Sequence, residues 1–133
     1  MKIYLAGPMR GYPQFNHPAF HRGTALLRAA GHEVLSPAEH NERIGLDTSG
    51  MNGEPGEVDA AGFSMRDLLG ADLAWITGEA GAVVVMPGWE SSRGACAEVA
   101  TALALGLPVW ELAHLLLYGE DATQVRHLPG GAA

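Results

Sequence analysis

The sequence predicts an α/β fold in which a parallel sheet is covered by helices on both faces. Short apolar runs rich in β-branched residues alternate along the chain with longer segments of helical periodicity. Most connections between them are short, as in sheets whose strands are joined by crossover helices. The 133 residues, 47% of them hydrophobic, match the length and apolar content of one domain. Ligands of such sheets bind beyond the carboxyl ends of the strands, so the loops there are the first candidates for a site.

The first strand is predicted at residues 2–6, an apolar run that stops at a Gly-Pro pair. A helix over 16–30 follows from apolar residues at helical spacing. Asn16 is its predicted N-cap, and Gly31 stands where a C-terminal cap belongs. These elements give the first strand, its loop and its crossover helix.

A second short strand is predicted at 32–37, and the chain then changes character. Residues 38–63 are polar, acidic and rich in glycine, with weak periodicity. Loops of this length in a compact domain are usually functional or disordered. We therefore expect a long mobile loop that could act as a lid.

The second half of the chain resumes the alternation. Helical periodicity returns from about Ser64, followed by a buried strand at 82–86 and a helix over about 92–105. A short strand at 108–112 and a last helix around 111–118 complete the pattern. The prediction is a single domain over 1–125 with a frayed tail over 126–133.

Charge and cysteine content exclude several classes of function. The net charge of −7 argues against a polynucleotide or an anionic membrane surface as partner, because phosphates need clustered Lys and Arg. The single Cys96 excludes an internal disulfide framework and fits a reducing compartment. No signal peptide or membrane span is evident, so the expected localisation is cytoplasmic.

The six histidines offer no convincing metal-ligand spacing, and no metal or other cofactor is expected. His17 and His21 are four residues apart, but a helical pair without a third ligand is more often surface decoration. Phe15 and Trp89 could stack on a base, or pack equally well in a core or an interface.

The segment "PGWESSRGACAEVA" at 87–100 follows the third strand and opens a helix. Ser92 can cap this helix or contact an anion at its N-terminus, and Gly94 lets a ligand approach the backbone. The alternative is an ordinary cap with nothing bound. Glu98 lies one turn after Gly94 on the same helix face. Six residues at a rise of ~1.5 Å place it roughly 9 Å from Ser92, the scale of a sugar phosphate.

A glutamate at that distance can attack an anomeric carbon, or it can be a solvated residue on an exposed face; spacing alone leaves both open. A nucleophilic carboxylate also needs an acid for the leaving group. Asp72 is the candidate and Asp67 the alternative, and either could instead be a surface residue. Arg10, between a strand end and a glycine, suits a phosphate contact. Tyr4 can reach the site or pack in the core.

Two stretches together carry a resemblance to a known family. "IYLAGPMRG" and the later "VVVMPGWESSRGACAEVATALALGLPV" resemble the nucleoside 2-deoxyribosyltransferase superfamily over roughly residues 1–112. The chain is most similar to its small phage and bacterial members and to the 2′-deoxynucleoside 5′-monophosphate N-hydrolases. The resemblance implies a flavodoxin-like fold, a homodimer or larger oligomer, and cleavage of N-glycosidic bonds without a cofactor.

The resemblance also implies roles for individual residues. Glu98 matches the catalytic nucleophile, Asp72 the acid, and Tyr4 a tyrosine of the first strand. The positions that match substrate contacts, in part for a 5′-phosphate, are Gly7, Pro8, Met9, Arg10, Gly11, Ser92 and Gly94. Pro8 departs from the hydrolases, which have serine there, and agrees with the nucleoside transferases.

The predicted function is therefore an N-glycosidase acting on (2′-deoxy)nucleoside 5′-monophosphates through a covalent glycosyl–Glu98 intermediate. Base exchange between nucleosides, as in the transferases, is the first alternative. A non-catalytic nucleotide-binding sensor is the second. In each case the partner is a small nucleotide or nucleoside.

Overall fold

Four parallel strands form the centre of the computed structural model, which describes residues 1–130. The strands are β1 (Lys2–Ala6), β2 (Glu33–Leu35), β3 (Ala82–Val85) and β4 (Val109–Glu111). Their order in the sheet is β2-β1-β3-β4, so β1 and β3 are central. The α/β prediction is confirmed, and the strand order is that of flavodoxin-like folds.

Six helices connect and cover these strands within residues 1–130. They are α1 (His17–Ala29), α2 (Pro37–Arg43), α3 (Pro55–Ala60), α4 (Met65–Gly78), α5 (Arg93–Ala104) and α6 (Leu112–Tyr118). Serine side chains cap α2, α4 and α5, where Ser36, Ser64 and Ser92 each accept a hydrogen bond from the backbone N–H three residues on. These caps explain why the starts of α4 and α5 could be read from the sequence.

The helices form a layer on each face of the sheet. Ile3 and Leu5 of β1 point to the face covered by α1 and α6, while Tyr4 and Ala6 point to the face covered by α4 and α5. This alternation follows from the two-residue period of a strand. Tyr4 therefore faces the two helices that carry Asp72 and Glu98.

The prediction of one long loop over residues 38–63 is wrong. This segment contains α2 and α3, and its apolar side chains Leu46 and Val58 are buried with Phe15 and Leu68 in a third small core. Residues 44–63, which we call the roof, are held by these few contacts. A few buried side chains give no periodic signal, so the sequence pattern did not reveal them.

The roof is joined to the loop after β1 through backbone contacts. Gly11 N–H donates to the Gly53 carbonyl at 3.0 Å, and Gln14 N–H donates to the Met51 carbonyl at 2.8 Å. A Cβ on Gly53, whose φ is +83°, would lie 2.6 Å from the backbone nitrogens of Gly11 and Tyr12. Only glycine fits such an approach.

Asn16 precedes α1 as predicted, but its side chain does not cap that helix. Gln14, Phe15 and Asn16 form a left-handed turn with φ of 56°, 51° and 62°. In this conformation the Asn16 amide donates to the Pro8 carbonyl at 2.9 Å. The turn costs roughly 1 kcal/mol or more per residue, and its contacts to Met51 and Pro8 hold it in place.

The end of the described chain lies against the edge of the sheet. Val125 N–H donates to the Val109 carbonyl at 2.8 Å, and Gln124 pairs with Trp110 of β4. Residues 131–133 of the tail predicted to be frayed lie outside the described residues. The single-domain boundary at 125 stays a prediction. No helix in the described part of the chain combines the length and apolar character needed to cross a membrane.

Candidate active site

A cavity of about 590 Å³ opens at the carboxyl ends of β1 and β3, beneath the roof. Its predicted lining residues are Gly7, Pro8, Met9, Arg10, Asp72, Ser92, Gly94 and Glu98. Tyr4 is fully buried and reaches the cavity only through its bond to Glu98. Gly11 does not line the cavity, and its N–H donates to the Gly53 carbonyl in the roof. The topology therefore brings together eight of the ten predicted residues and places a ninth, Tyr4, in contact with them.

Glu98 lies on the inner face of α5, and only 6% of its surface is exposed. The Tyr4 hydroxyl donates a hydrogen bond to Glu98 Oε2 at 2.7 Å. The alternative of a solvated glutamate on an exposed helix face is therefore wrong. Ala95 and Val99, also buried, pack beside it in the core, so the carboxyl group opens only toward the cavity.

Asp72 lines the same cavity from α4. Its Oδ1 atom is buried and has no hydrogen-bond partner among the described residues. A buried oxygen without a partner is rare and favours a protonated carboxyl or a ligand contact. Asp67, by contrast, is exposed and lies outside the lining. Of the two candidate acids, Asp72 is the one that the fold brings to Glu98.

Burial raises the pKa of Glu98 to about 8, with a further contribution from the Asp72 charge; the Tyr4 hydrogen bond opposes the shift. Burial likewise raises the pKa of Asp72 to about 7, again opposed by Tyr4. Two carboxyl groups that interact in this way titrate as a pair. Burial and both carboxylates raise the pKa of Tyr4, so its hydroxyl keeps its proton and acts as donor. Near neutral pH the pair holds about one proton.

The N-terminal turn of α5 forms another wall of the cavity. The Ser92 hydroxyl oxygen accepts a hydrogen bond from Ala95 N–H at 3.2 Å. Open space surrounds Gly94, since a Cβ built there would meet no atom within 4 Å. The first N–H groups of a helix lack intrahelical partners and favour an anion. A ligand anion can therefore approach this turn closely.

Three arginines line the cavity, and the sequence indicated only one of them. Arg10 comes from the loop after β1, Arg66 from α4 and Arg93 from α5. All three are exposed, and no ion pair within residues 1–130 involves them. In a chain of net charge −7, three free cations around one cavity indicate an anionic ligand. Their positions in the first turns of two helices were the available signal for Arg66 and Arg93.

For two aromatic residues, the sequence left open whether they stack on a base or pack in a core or an interface. Phe15 lines the cavity and is also part of the small core under the roof. Trp89 is 5% exposed and packs in the core between the sheet and α5, outside the cavity lining. Asn41 of α2, which sequence reasoning missed, also lines the cavity.

The prediction that His17 decorates the surface is wrong, because only 3% of it is exposed. Its ring lies between α1 and α2, where it contacts Asn41. In the described part of the chain, no group of three or more His, Cys, Asp or Glu side chains is arranged to hold a metal ion. The helical spacing of His17 and His21 serves packing between helices.

Comparison with known proteins finds a matching family model and a similar solved structure. A family model described as "Domain of unknown function (DUF4406)" matches residues 1–111. A solved structure titled for a 2-deoxyribosyltransferase from the psychrotolerant bacterium Bacillus psychrosaccharolyticus aligns with a TM-score of 0.54 and 25% identity. The alignment covers 84% of this chain and 71% of that one. No curated protein sequence matches. The structural match supports the superfamily to which the sequence was found similar.

Proposed function

The chain belongs to the DUF4406 family, and from its site we propose that it cleaves the N-glycosidic bond of (2′-deoxy)nucleoside 5′-monophosphates by hydrolysis. One observation carries the proposal: Glu98, which accepts a hydrogen bond from Tyr4, shares a cavity with Asp72 and with the N-terminal turn of α5. The likeness to a 2-deoxyribosyltransferase supports a reaction at the bond between base and sugar.

In the first step the Glu98 carboxylate attacks C1′ of the sugar. The bond from C1′ to the base nitrogen breaks, and its electron pair leaves with the base. Asp72, protonated, gives its proton to that base. Tyr4 orients Glu98 by its 2.7 Å hydrogen bond. The product of this step is a free base and a glycosyl ester on Glu98.

In the second step water attacks C1′ of the ester, and the bond from C1′ to the Glu98 oxygen breaks. Asp72, now ionised, accepts the proton of the water. The products are a sugar 5-phosphate and the regenerated carboxylate pair. The reaction needs Glu98 ionised and Asp72 protonated. The pair holds about one proton near neutral pH, and because the pKa of Glu98, about 8, exceeds that of Asp72, about 7, the reactive form is the less populated of the two singly protonated forms.

The phosphate preference rests on the positive end of the cavity. Arg10, Arg93 and the N-terminal turn of α5 line it together, and a phosphate bound there would satisfy both guanidinium groups and free N–H groups. Ser92 and Gly94 open this turn, with Glu98 one further turn along the same helix. A sugar attached to that phosphate would thus lie over the nucleophile.

Base exchange is the second candidate, and two observations favour it. The solved structure that aligns with this chain is titled for a transferase, and Pro8, where the similar hydrolases have serine, lines the cavity. In this reaction a second base, rather than water, would attack the glycosyl–Glu98 ester.

The test is to incubate the protein with matched deoxynucleosides and their 5′-monophosphates, with and without a second free base, and to follow released base by chromatography. Release from monophosphates without an acceptor supports hydrolysis. Release that requires an acceptor supports transfer and contradicts our proposal. Saturable binding without turnover would identify a nucleotide sensor instead.

A matched pair of variants assigns the nucleophile. Glu98→Gln keeps the size and the hydrogen bond to Tyr4 but removes the nucleophile, and we expect a loss on the order of 10³-fold or more. Glu90→Gln, at an exposed position outside the cavity lining, serves as the control. Activity that survives Glu98→Gln would contradict the assignment.

A further inference from the structure

Three polar side chains form a buried cluster next to the cavity. His17 of α1 is 3% exposed, while Asn41 of α2 and Thr48 of the roof are each 6% exposed. Asn41 Nδ2 lies 3.3 Å from His17 Nε2, and Thr48 Oγ1 lies 3.0 Å from His17 Nδ1. The imidazole ring therefore bridges α2 and the roof.

The directions of these hydrogen bonds are mutually dependent. The Asn41 Nδ2 group can only donate, so His17 Nε2 must accept and carry no proton. The ring proton is then on Nδ1, where it is donated to the Thr48 hydroxyl oxygen. Burial lowers the pKa of His17, opposed by Glu42 and assisted by His21, which keeps the ring neutral as this arrangement requires. The ring tautomer and the amide orientation thus fix each other, and the Thr48 hydroxyl accepts the remaining ring proton.

This orientation leaves the carbonyl oxygen of Asn41 for a ligand. Asn41 lines the main cavity, and within the described residues its side chain makes a hydrogen bond through Nδ2, to His17, and none through Oδ1. His17 and Thr48 do not line that cavity. The amide therefore presents an acceptor to the cavity while its donor is held in the protein interior.

Asn41 and the proposed phosphate position belong to two different helices that both line the cavity, α2 and α5. Because α2 follows β2 and α5 follows β3, the two helices begin on opposite sides of the central strand β1. With the phosphate at the N-terminus of α5 and the sugar over Glu98, the base extends toward α2. Asn41 then faces the edge of the base.

We propose that Thr48 and His17 are positioning residues that fix the Asn41 carbonyl as a hydrogen-bond acceptor, so that the site selects bases with an amino group at the position of adenine N6 or cytosine N4. Adenine and cytosine carry a donor at the position where hypoxanthine and uracil carry an oxygen. An oxygen facing Asn41 Oδ1 would leave two buried acceptors in contact. This inference rests on the proposed function and specifies its substrate class.

The first test compares matched substrates that differ only in this group. We expect kcat/KM to be about tenfold or more higher for the 5′-monophosphates of deoxycytidine and deoxyadenosine than for those of deoxyuridine and deoxyinosine. Equal values, or a preference for the oxo bases, would overturn the inference while leaving the hydrolase intact.

The second test uses Thr48, which does not line the main cavity. Thr48→Val keeps the shape but removes the acceptor for the Nδ1 proton, so we expect the amino-to-oxo ratio to fall toward one. Thr48→Ser keeps the hydroxyl and should keep the ratio. A general loss of stability would lower activity on all four substrates equally. An unchanged ratio in Thr48→Val would count against the positioning role.

The third test is independent of catalysis. Nitrogen-15 NMR of the histidine rings distinguishes the two neutral tautomers, and we expect His17 to carry its proton on Nδ1 near neutral pH. A proton on Nε2 would reverse the amide and overturn the inference, whatever the enzyme activity. If no nucleotide is cleaved, the proposed function fails, and the same four nucleotides are then compared by calorimetric binding. Equal binding, or none, would overturn the inference as well.

Discussion

At the scale of single residues, the site depends on a carboxyl pair withdrawn from water. Glu98 and Asp72 share about one proton near neutral pH, because burial raises the pKa of both carboxyl groups and the Asp72 charge raises that of Glu98 further. Tyr4 donates to Glu98 and favours its ionised form. The pair can thus supply both an attacking carboxylate and a proton donor when its one proton lies on Asp72.

The pH dependence of activity tests this division of roles. For the wild type we expect a bell-shaped profile of kcat/KM with its maximum between about pH 7 and pH 8, where one proton remains on the pair. Asp72→Asn removes the acid and should lower kcat about 10²- to 10⁴-fold. It should also abolish the alkaline fall, because the proton lost along that limb is gone. The acidic limb, where Glu98 ionises beside an uncharged neighbour in both proteins, should stay near its wild-type position or move slightly to higher pH.

Steady-state kinetics across this pH range provide the measurement, with Asp67→Asn as the control. Asp67 is exposed and lies outside the cavity, so its variant should retain the wild-type profile. An alkaline limb that persists in Asp72→Asn would assign the acid to another group.

At the scale of elements, α5 serves both stability and the site. Its buried face packs Val99 and Ala102 against the sheet, and its first turn opens into the cavity. Ser92 caps this turn, so a capping role and a phosphate contact overlap in one side chain. Separating them requires a residue that caps but repels anions.

The substitution Ser92→Asp introduces such a residue, and the substitution Ser92→Ala, which removes the cap, is compared with it. Aspartate caps helices about as well as serine, so Ser92→Asp should stay near wild-type stability, whereas Ser92→Ala should lose about 1 kcal/mol. The aspartate charge should nevertheless weaken the binding of the monophosphate at least tenfold, because it repels the phosphate, and should have little effect on the binding of the corresponding nucleoside. Urea unfolding and KM values for both substrates provide the comparison. Wild-type monophosphate affinity in Ser92→Asp would place the phosphate elsewhere.

At the scale of the whole molecule, the sheet order brings distant segments to one cavity. Tyr4 and Glu98 are 94 residues apart in sequence, yet central β1 places Tyr4 directly beneath α5. The roof closes the cavity from above through its contacts with Phe15, Leu68 and the loop after β1. Enclosure by these layers withdraws the carboxyl pair from water, and the same enclosure costs stability.

The stability of the fold should therefore fall as pH rises. The pKa values of Glu98 and Asp72, about 8 and about 7, lie above their ordinary values of 4.5 and 3.8, so the folded state binds more protons than the unfolded state between these limits. Folding stability is then greatest at the acidic end of this window and is lost progressively up to about pH 8. In the Glu98→Gln, Asp72→Asn double variant this slope should largely disappear.

Urea unfolding at a series of pH values measures this effect. We expect the double variant to exceed the wild type by about 2 kcal/mol or more at pH 8 and to match it near pH 4. If the free energy of unfolding changes with pH in the same way for both proteins, the carboxyl pair is solvated in the folded state.

The sequence by itself determined the alternation of strands and helices, the starts of α4 and α5, and the spacing of Ser92, Gly94 and Glu98. These are local properties, because periodicity, capping and helical rise depend only on near neighbours in the chain. The resemblance in the loops after β1 and β3 added the roles of the individual residues.

Only the tertiary structure decided which of these residues are buried together. It selected Asp72 over Asp67, removed Gly11 from the cavity, and added Arg66, Arg93 and Asn41. It also showed that residues 38–63 contain two helices and that His17 is buried. Burial and long-range hydrogen bonds arise from contacts between segments far apart in sequence. They also set the pKa values on which the chemistry depends, and for that reason no local pattern could predict them.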